Sequence, residues 1–146
     1  MNLLFVNTNQ TRMPDPVPPI GLSYLASAMR RAQHKCEIFD LTFQAEFEDA
    51  LKKRICEIKA DVIGLSLRNV DNTAYPKSVS YFEDFKQIVR ICRDTAPETP
   101  IVVGGPAFSL FPEEFIEKLG IDYGIAGEGE IALLELLEKL ENGEKP

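Results

Sequence analysis

The chain has 146 residues, 45% of them hydrophobic and 27% charged, with 16 Lys and Arg against 23 Asp and Glu for a net charge of -7. That length fits one domain burying about two-thirds of its unfolded surface. The acidic balance excludes a nucleic-acid surface, which clusters Lys and Arg against phosphates.

The amino terminus MNLLFVNTNQ has neither the basic flank nor the apolar length of a signal peptide. No apolar run reaches the roughly 18 residues of a membrane span, so a cytoplasmic chain without a membrane segment is expected.

Apolar, β-branched segments alternate with amphipathic ones along the chain. The first strand is read at Leu3 to Asn7, followed by the loop TNQTRMPDPVPP, whose prolines cannot lie inside a helix. A helix from Ile20 to Arg31 carries Leu22, Leu25, Ala26 and Met29 at helical spacing. The second strand, Lys35 to Phe39, leads into FQAEFEDALKKRICEIKA, where Phe43, Phe47, Leu51, Ile55 and Ile58 form one stripe.

The third strand, Asp61 to Leu67, is followed by RNVDNTAYPKS and then by SVSYFEDFKQIVRICRD, with a helical stripe of Val79, Phe82, Phe85, Val89 and Cys92. Ile101 to Val103 is the fourth strand, with a short helix at Pro112 to Leu119. Tyr123 to Ala126 is the fifth, with a helix at Glu130 to Glu141 carrying Leu133, Leu134, Leu137 and Leu140.

Five βα units predict an α/β, doubly wound domain with a five-stranded parallel sheet in the flavodoxin-like (Rossmann-like) order 2-1-3-4-5. Near-continuous hydrophobicity in the strands predicts burial on both faces. Ligands of such sheets bind outside the carboxyl ends of the strands, at the reversal between strands 1 and 3. Function is therefore expected in TNQTRMPDPVPP, RNVDNTAYPKS, GGPAFSLF and GEGE. His34, the only histidine, falls at the opposite edge of the sheet and is a poor candidate for chemistry. Cys36, Cys56 and Cys92 are too widely spaced for a metal motif and are read as reduced core residues.

Several phosphate and signalling sites are tested by what these loops lack. A dinucleotide site needs G-x-G-x-x-G directly after the first strand, where no glycine occurs, and there is no P-loop. A receiver domain would want acidic residues after the first strand, which ends in Asn7. Thr8 and Thr11 supply the hydroxyls of a flavin mononucleotide loop without its glycine. What remains is small residues at three adjacent strand ends: Ser66, then Gly104 and Gly105, then Gly127 and Gly129. They predict a slot suited to an elongated ligand that inserts a flat tail and leaves a bulkier part above.

PPIGLSYLASAMRRAQHKCEIFD, ADVIGLSLRN, IVVGGPAFSLFPEE and IDYGIAGEGEIALLELLEKLENG together resemble the amino-terminal cobalamin-binding domain of cobalamin-dependent radical S-adenosylmethionine enzymes. The resemblance covers residues 1–143, and residues 144–146 are expected to begin a linker to a radical S-adenosylmethionine domain. It implies that Ser66 hydrogen-bonds the dimethylbenzimidazole tail of cobalamin and that Gly104 and Gly105 let it pass. Pro106 and Ala107 continue that wall, and Gly127, Glu128 and Gly129 give backbone room. Thr8, Asn9, Gln10, Leu67, Arg68 and Asn69 would face the corrin ring, with Arg68 or Asn69 at its amides or the lower face of cobalt.

Cobalamin domains of the methionine synthase and mutase type carry D-x-H-x-x-G after the first strand, and here that loop has no histidine. The resemblance then implies cobalamin held base-off with no protein histidine on the metal. Ser66-Leu67-Arg68 also departs from the mutase-type S-x-L at residue 68. The expected function is the cobalamin-binding module of a radical enzyme of the methyltransferase kind. S-adenosylmethionine, an iron-sulfur cluster and the substrate would sit in a downstream domain, so this chain by itself carries no catalytic residue. The alternative is a cobalamin-free docking or lid domain of the same fold.

Each signal also has a bland reading. The glycine pair can simply make a turn, Ser66 can cap a loop, and Glu130 can occupy a first helical turn, where the helix dipole favours acids. Arg68, Asn69, Asp71 and Asn72 can be a solvated turn with Ser78 as cap. On the ligand reading, Gly105→Leu is expected to block binding while leaving the fold intact.

Overall fold

In the computed structural model, which describes residues 1–12, 15–144 and 146, the five apolar segments pair in parallel. The strands are β1 (Asn2–Asn7), β2 (Lys35–Asp40), β3 (Val62–Ser66), β4 (Ile101–Gly104) and β5 (Tyr123–Ile125). Their order is β2-β1-β3-β4-β5, as the alternating pattern predicts. The helices are α1 (Ile20–Arg31), α2 (Phe47–Ile58), α3 (Phe82–Thr95), α4 (Pro112–Leu119) and α5 (Glu130–Glu141). Met13 and Pro14 of the proline-stiffened loop, and Lys145 of the expected linker, lie outside the described residues.

Successive strand side chains point to opposite faces, and each face has its own core. Leu4, Val6, Ile63, Leu65, Ile101 and Val103 pack with Leu51 and Ile55 of α2, Phe85, Ile88 and Cys92 of α3, and Phe115 of α4. Leu3, Phe5, Val62 and Val102 pack with Leu22, Ala26 and Met29 of α1 and Leu133, Leu136 and Leu137 of α5. This double burial explains strands that read as apolar runs. Together the two clusters give the described residues a core of their own.

Several expectations are corrected. Phe43 is not part of the α2 stripe: it sits in a separate 3-10 turn, Leu41–Phe43, and is exposed, with the Arg12 guanidinium 5.9 Å over its ring. Val79 precedes α3 and is exposed because its segment pairs back on the loop instead, Asn72 donating to the Val79 carbonyl at 3.1 Å. The serine before α3 is Ser80, whose hydroxyl accepts the Phe82 amide at 3.2 Å, and not Ser78.

The cysteines are all free, but only Cys92 is a core residue; Cys36 is half-buried and Cys56 exposed. Burial pushes the Cys92 thiol up to about 12. It raises Cys36 too, against the opposing pull of Arg30.

Candidate functional site

The face of the sheet under α1 and α5 tapers toward the carboxyl ends. On it β3 presents Val62, Gly64 and Ser66 in turn, and β4 presents Val102 and Gly104, so each strand ends in its smallest residues. The opposite face presents Ile63, Leu65 and Leu67 and is filled. The result is a one-sided cleft of ≈ 480 Å³ running down between the sheet and the two helices.

Phe5 and Val102 lie in the cleft floor beside Gly64, with Gly21, Leu22 and Leu25 of α1 and Leu133 of α5 as its roof. Phe5 pairs with Gly64 in register, and a β-carbon on Gly64 would stand 2.7 Å from the Phe5 ring. A side chain at 64 would therefore displace the ring that lines the floor.

Gly105, Pro106, Gly127, Glu128, Gly129 and Glu130 form the mouth. Ser109 ties its two loops together, donating to the Gly105 carbonyl at 3.0 Å and accepting the Gly127 amide at 2.9 Å. The lining contains no Lys or Arg, and its charged members are the rim carboxylates Glu128 and Glu130. Such a lining favours an apolar, uncharged insert over a polyphosphate. Glu130 lies in the first turn of α5, as the helix dipole favours.

A second, polar cleft of ≈ 150 Å³ opens on the α3 side of the same sheet ends. Thr8, Asn9, Gln10 and Thr11 form one wall and Leu67, Arg68 and Asn69 the other, with Tyr81, Asp84 and Phe85 behind. The hinge between the clefts is the Thr8 hydroxyl, which donates to the Ser66 carbonyl at 2.7 Å.

The predicted site residues thus divide between two clefts. Ser66, Gly104, Gly105, Pro106, Gly127, Glu128 and Gly129 line the apolar one. Thr8, Asn9, Gln10, Leu67, Arg68 and Asn69 line the polar one. Ala107 lines neither and is buried in the core. Asp71 and Asn72 do not face a cleft: their carboxylate and amide oxygens accept the Thr73 amide at 2.8 Å and the Val79 amide at 2.9 Å within their own loop. Gly21, Gly64 and Ser109 were missed, because their significance comes from contacts with other segments.

The glycine pair has causes within the chain. Gly105 has φ +106, and a β-carbon there would stand 2.6 Å from the Leu67 carbonyl oxygen. At Gly104 it would stand 3.3 Å from the Ile125 carbonyl oxygen. The expectation that Gly105→Leu leaves the fold intact is therefore wrong. Both glycines still line the cleft.

Among the described residues no group of three or more His, Cys, Asp or Glu could hold a metal ion. His34 lies before β2, at the amino ends of the strands, with Nδ1 3.3 Å from the Met1 nitrogen. Among those residues no helix is long and apolar enough to cross a membrane.

Known proteins share this architecture. The family model described as B12 binding domain matches residues 10–137. A tryptophan 2-C-methyltransferase of Streptomyces laurentii is 27% identical over 140 residues, covering 94% of this chain and 23% of that protein. An uncharacterized methyltransferase of Pyrococcus horikoshii is 30% identical over 128 residues, covering 86% and 25%. The radical S-adenosylmethionine methyltransferase TsrM from Kitasatospora setae, solved with cobalamin and a [4Fe-4S] cluster bound, superposes with TM-score 0.91 at 29% identity, over 99% of this chain and 25% of that one. The chain thus spans about a quarter of the length of these relatives. With the family model matched from residue 10 to residue 137, across every strand but the first, the chain belongs to the B12-binding domain family.

Proposed function

We propose that this chain is the cobalamin-binding domain of a longer radical S-adenosylmethionine enzyme of the methyltransferase kind. The observation that carries the reading is the one-sided apolar cleft of ≈ 480 Å³, a volume within the roughly 300–1,000 Å³ typical of small-molecule sites. Its tapered floor fits the flat, apolar base of the cobalamin tail, and the polar cleft beside it fits the amide-rich ring.

In this reading Ser66 and Gly104 lie beside the tail, with Gly105 and Pro106 at its entry and Gly127, Glu128 and Gly129 along the rim. Thr8, Asn9, Gln10, Arg68 and Asn69 meet ring amides or the lower face of the ring. When bound, cobalamin supplies a cobalt centre for methyl transfer. This chain contributes binding and orientation, and a further domain contributes S-adenosylmethionine, the iron-sulfur cluster and the substrate. With its tail held beside Ser66 and Gly104, cobalamin would be bound base-off. His34, at the far end of the strands beside Met1, is not positioned to reach a cofactor at their carboxyl ends, which supports binding without a protein histidine.

The test mixes the 146-residue chain with hydroxocobalamin, removes free cofactor and records the visible spectrum. Stoichiometric retained corrinoid with a base-off spectrum is expected. Absence of retained corrinoid overturns the reading in favour of a cobalamin-free docking or lid domain.

A further inference from the structure

We propose that Thr42, which lines neither cleft, is a positioning residue for the loop after β1. The inference rests on the cobalamin reading, in which Asn9 and Gln10 of that loop meet the ring. Thr42 is 1% exposed, and each of its polar groups is engaged. Its amide donates to Asp40 Oδ1 at 3.0 Å, and its carbonyl accepts Arg12 Nε at 2.7 Å. Its hydroxyl donates to the Asn9 carbonyl at 2.8 Å and accepts from Asn7 Nδ2 at 3.3 Å. Asn7 Nδ2 also donates to Asp40 Oδ1 at 2.8 Å, which ties the strand ends to the same corner.

Thr8, Asn9, Gln10 and Thr11 have no large apolar side chain to bury, so hydrogen bonds must define their path. On the side away from Thr42 the loop is held to β3 through the Thr8 hydroxyl, 2.7 Å from the Ser66 carbonyl oxygen. The Asn9 side chain accepts the Thr11 amide at 3.2 Å, which shapes the turn but does not attach it to the domain. Attachment on the β2 side comes from Thr42, which takes up Asn7, Asn9 and Arg12 together. The exposed Phe43 belongs to the same corner, beneath the Arg12 guanidinium. Removing the Thr42 hydroxyl leaves the Asn9 carbonyl without this donor and loosens the polar wall, while the apolar cleft on the other face stays intact.

Two measurements on the 146-residue chain test this: trypsin cleavage after Arg12 without ligand, and hydroxocobalamin affinity. Thr42→Val keeps the shape and loses the hydroxyl. It is expected to be cut about tenfold faster and to bind about tenfold more weakly, with Thr42→Ser restoring both to within about twofold. Unchanged cleavage overturns the proposal, as does faster cleavage with wild-type affinity. A wild-type chain that retains no hydroxocobalamin overturns the cobalamin reading and the proposal with it, whereas retention equal in wild type and Thr42→Val overturns the proposal alone. If Thr42→Val does not fold, Arg12→Leu removes one bond at the surface and is expected to weaken binding about threefold. Unchanged affinity in that variant also overturns the proposal.

Discussion

The carbonyl oxygen of Leu67 stands 2.6 Å from where a β-carbon on Gly105 would lie, and the same carbonyl accepts the Ala107 amide at 3.1 Å. Leu67 in turn donates its own amide to the Gly104 carbonyl at 2.9 Å. The end of β3 and the loop after β4 are thus clasped backbone to backbone. The glycine at 105 is required by that clasp before any ligand arrives.

Gly105→Ala is therefore expected to destabilise the fold by at least about 2 kcal/mol, since φ +106 is unfavourable for alanine and the nearest obstacle is backbone. Gly127→Ala, at φ +81 with nothing within 4 Å of the new carbon, should cost only about 1 kcal/mol. Urea unfolding of both variants checks the contrast, and equal losses would contradict the clasp.

Gly21 separates ligand from fold. It lies in α1 at the cleft, and a β-carbon there meets nothing within 4 Å. Gly21→Leu should leave stability unchanged or raise it by about 0.5 kcal/mol through helix propensity. The same change should weaken hydroxocobalamin retention by at least about tenfold by occupying the roof of the cleft. Undiminished retention would move the ligand out of this cleft.

His34→Ala should leave the visible spectrum of bound cobalamin unchanged, because His34 lies at the amino ends of the strands beside Met1. A shifted spectrum would put His34 on or near the metal and contradict the assignment of the site to the carboxyl ends.

Cys92 should give the fold a specific alkaline weakness. Burial raises its thiol from the ordinary 9.0 to about 12, with Arg93 opposing the shift. Below 9.0 the thiol is protonated folded and unfolded, so it adds no pH dependence. Between 9.0 and about 12 the unfolded chain releases the proton while the folded chain keeps it, so stability falls as pH rises. Urea midpoints across pH 8 to 11 (about the accessible part of this window) should fall less steeply in Cys92→Ala than in wild type. A thiol reagent should label exposed Cys56 at once and Cys92 only on unfolding.

The sheet order and most of the helices are legible in the amino-acid pattern. Strand alternation and helical periodicity are local signals, and α1, α4 and α5 occupy the residues their patterns mark. Local periodicity fails where a segment is fixed by other contacts. Phe43 continues the spacing of α2 but lies in a turn that Asp40 caps, its carboxylate accepting the Thr42 amide. Val79 continues the spacing of α3 but its carbonyl is taken by Asn72.

The strand ends that line the apolar cleft were also legible as small residues at Ser66, Gly104, Gly105, Gly127 and Gly129. Only the tertiary structure divided the candidates into an apolar and a polar cleft on opposite faces of the sheet. It also gave Gly64 its meaning through Phe5, Gly105 through Leu67, Ser109 through Gly127 and Thr42 through Asn9. Each of these pairs joins segments far apart in the chain. Spacing along a sequence fixes which face a residue takes within its own element, but parallel register and the approach of one backbone to another arise only when the elements pack.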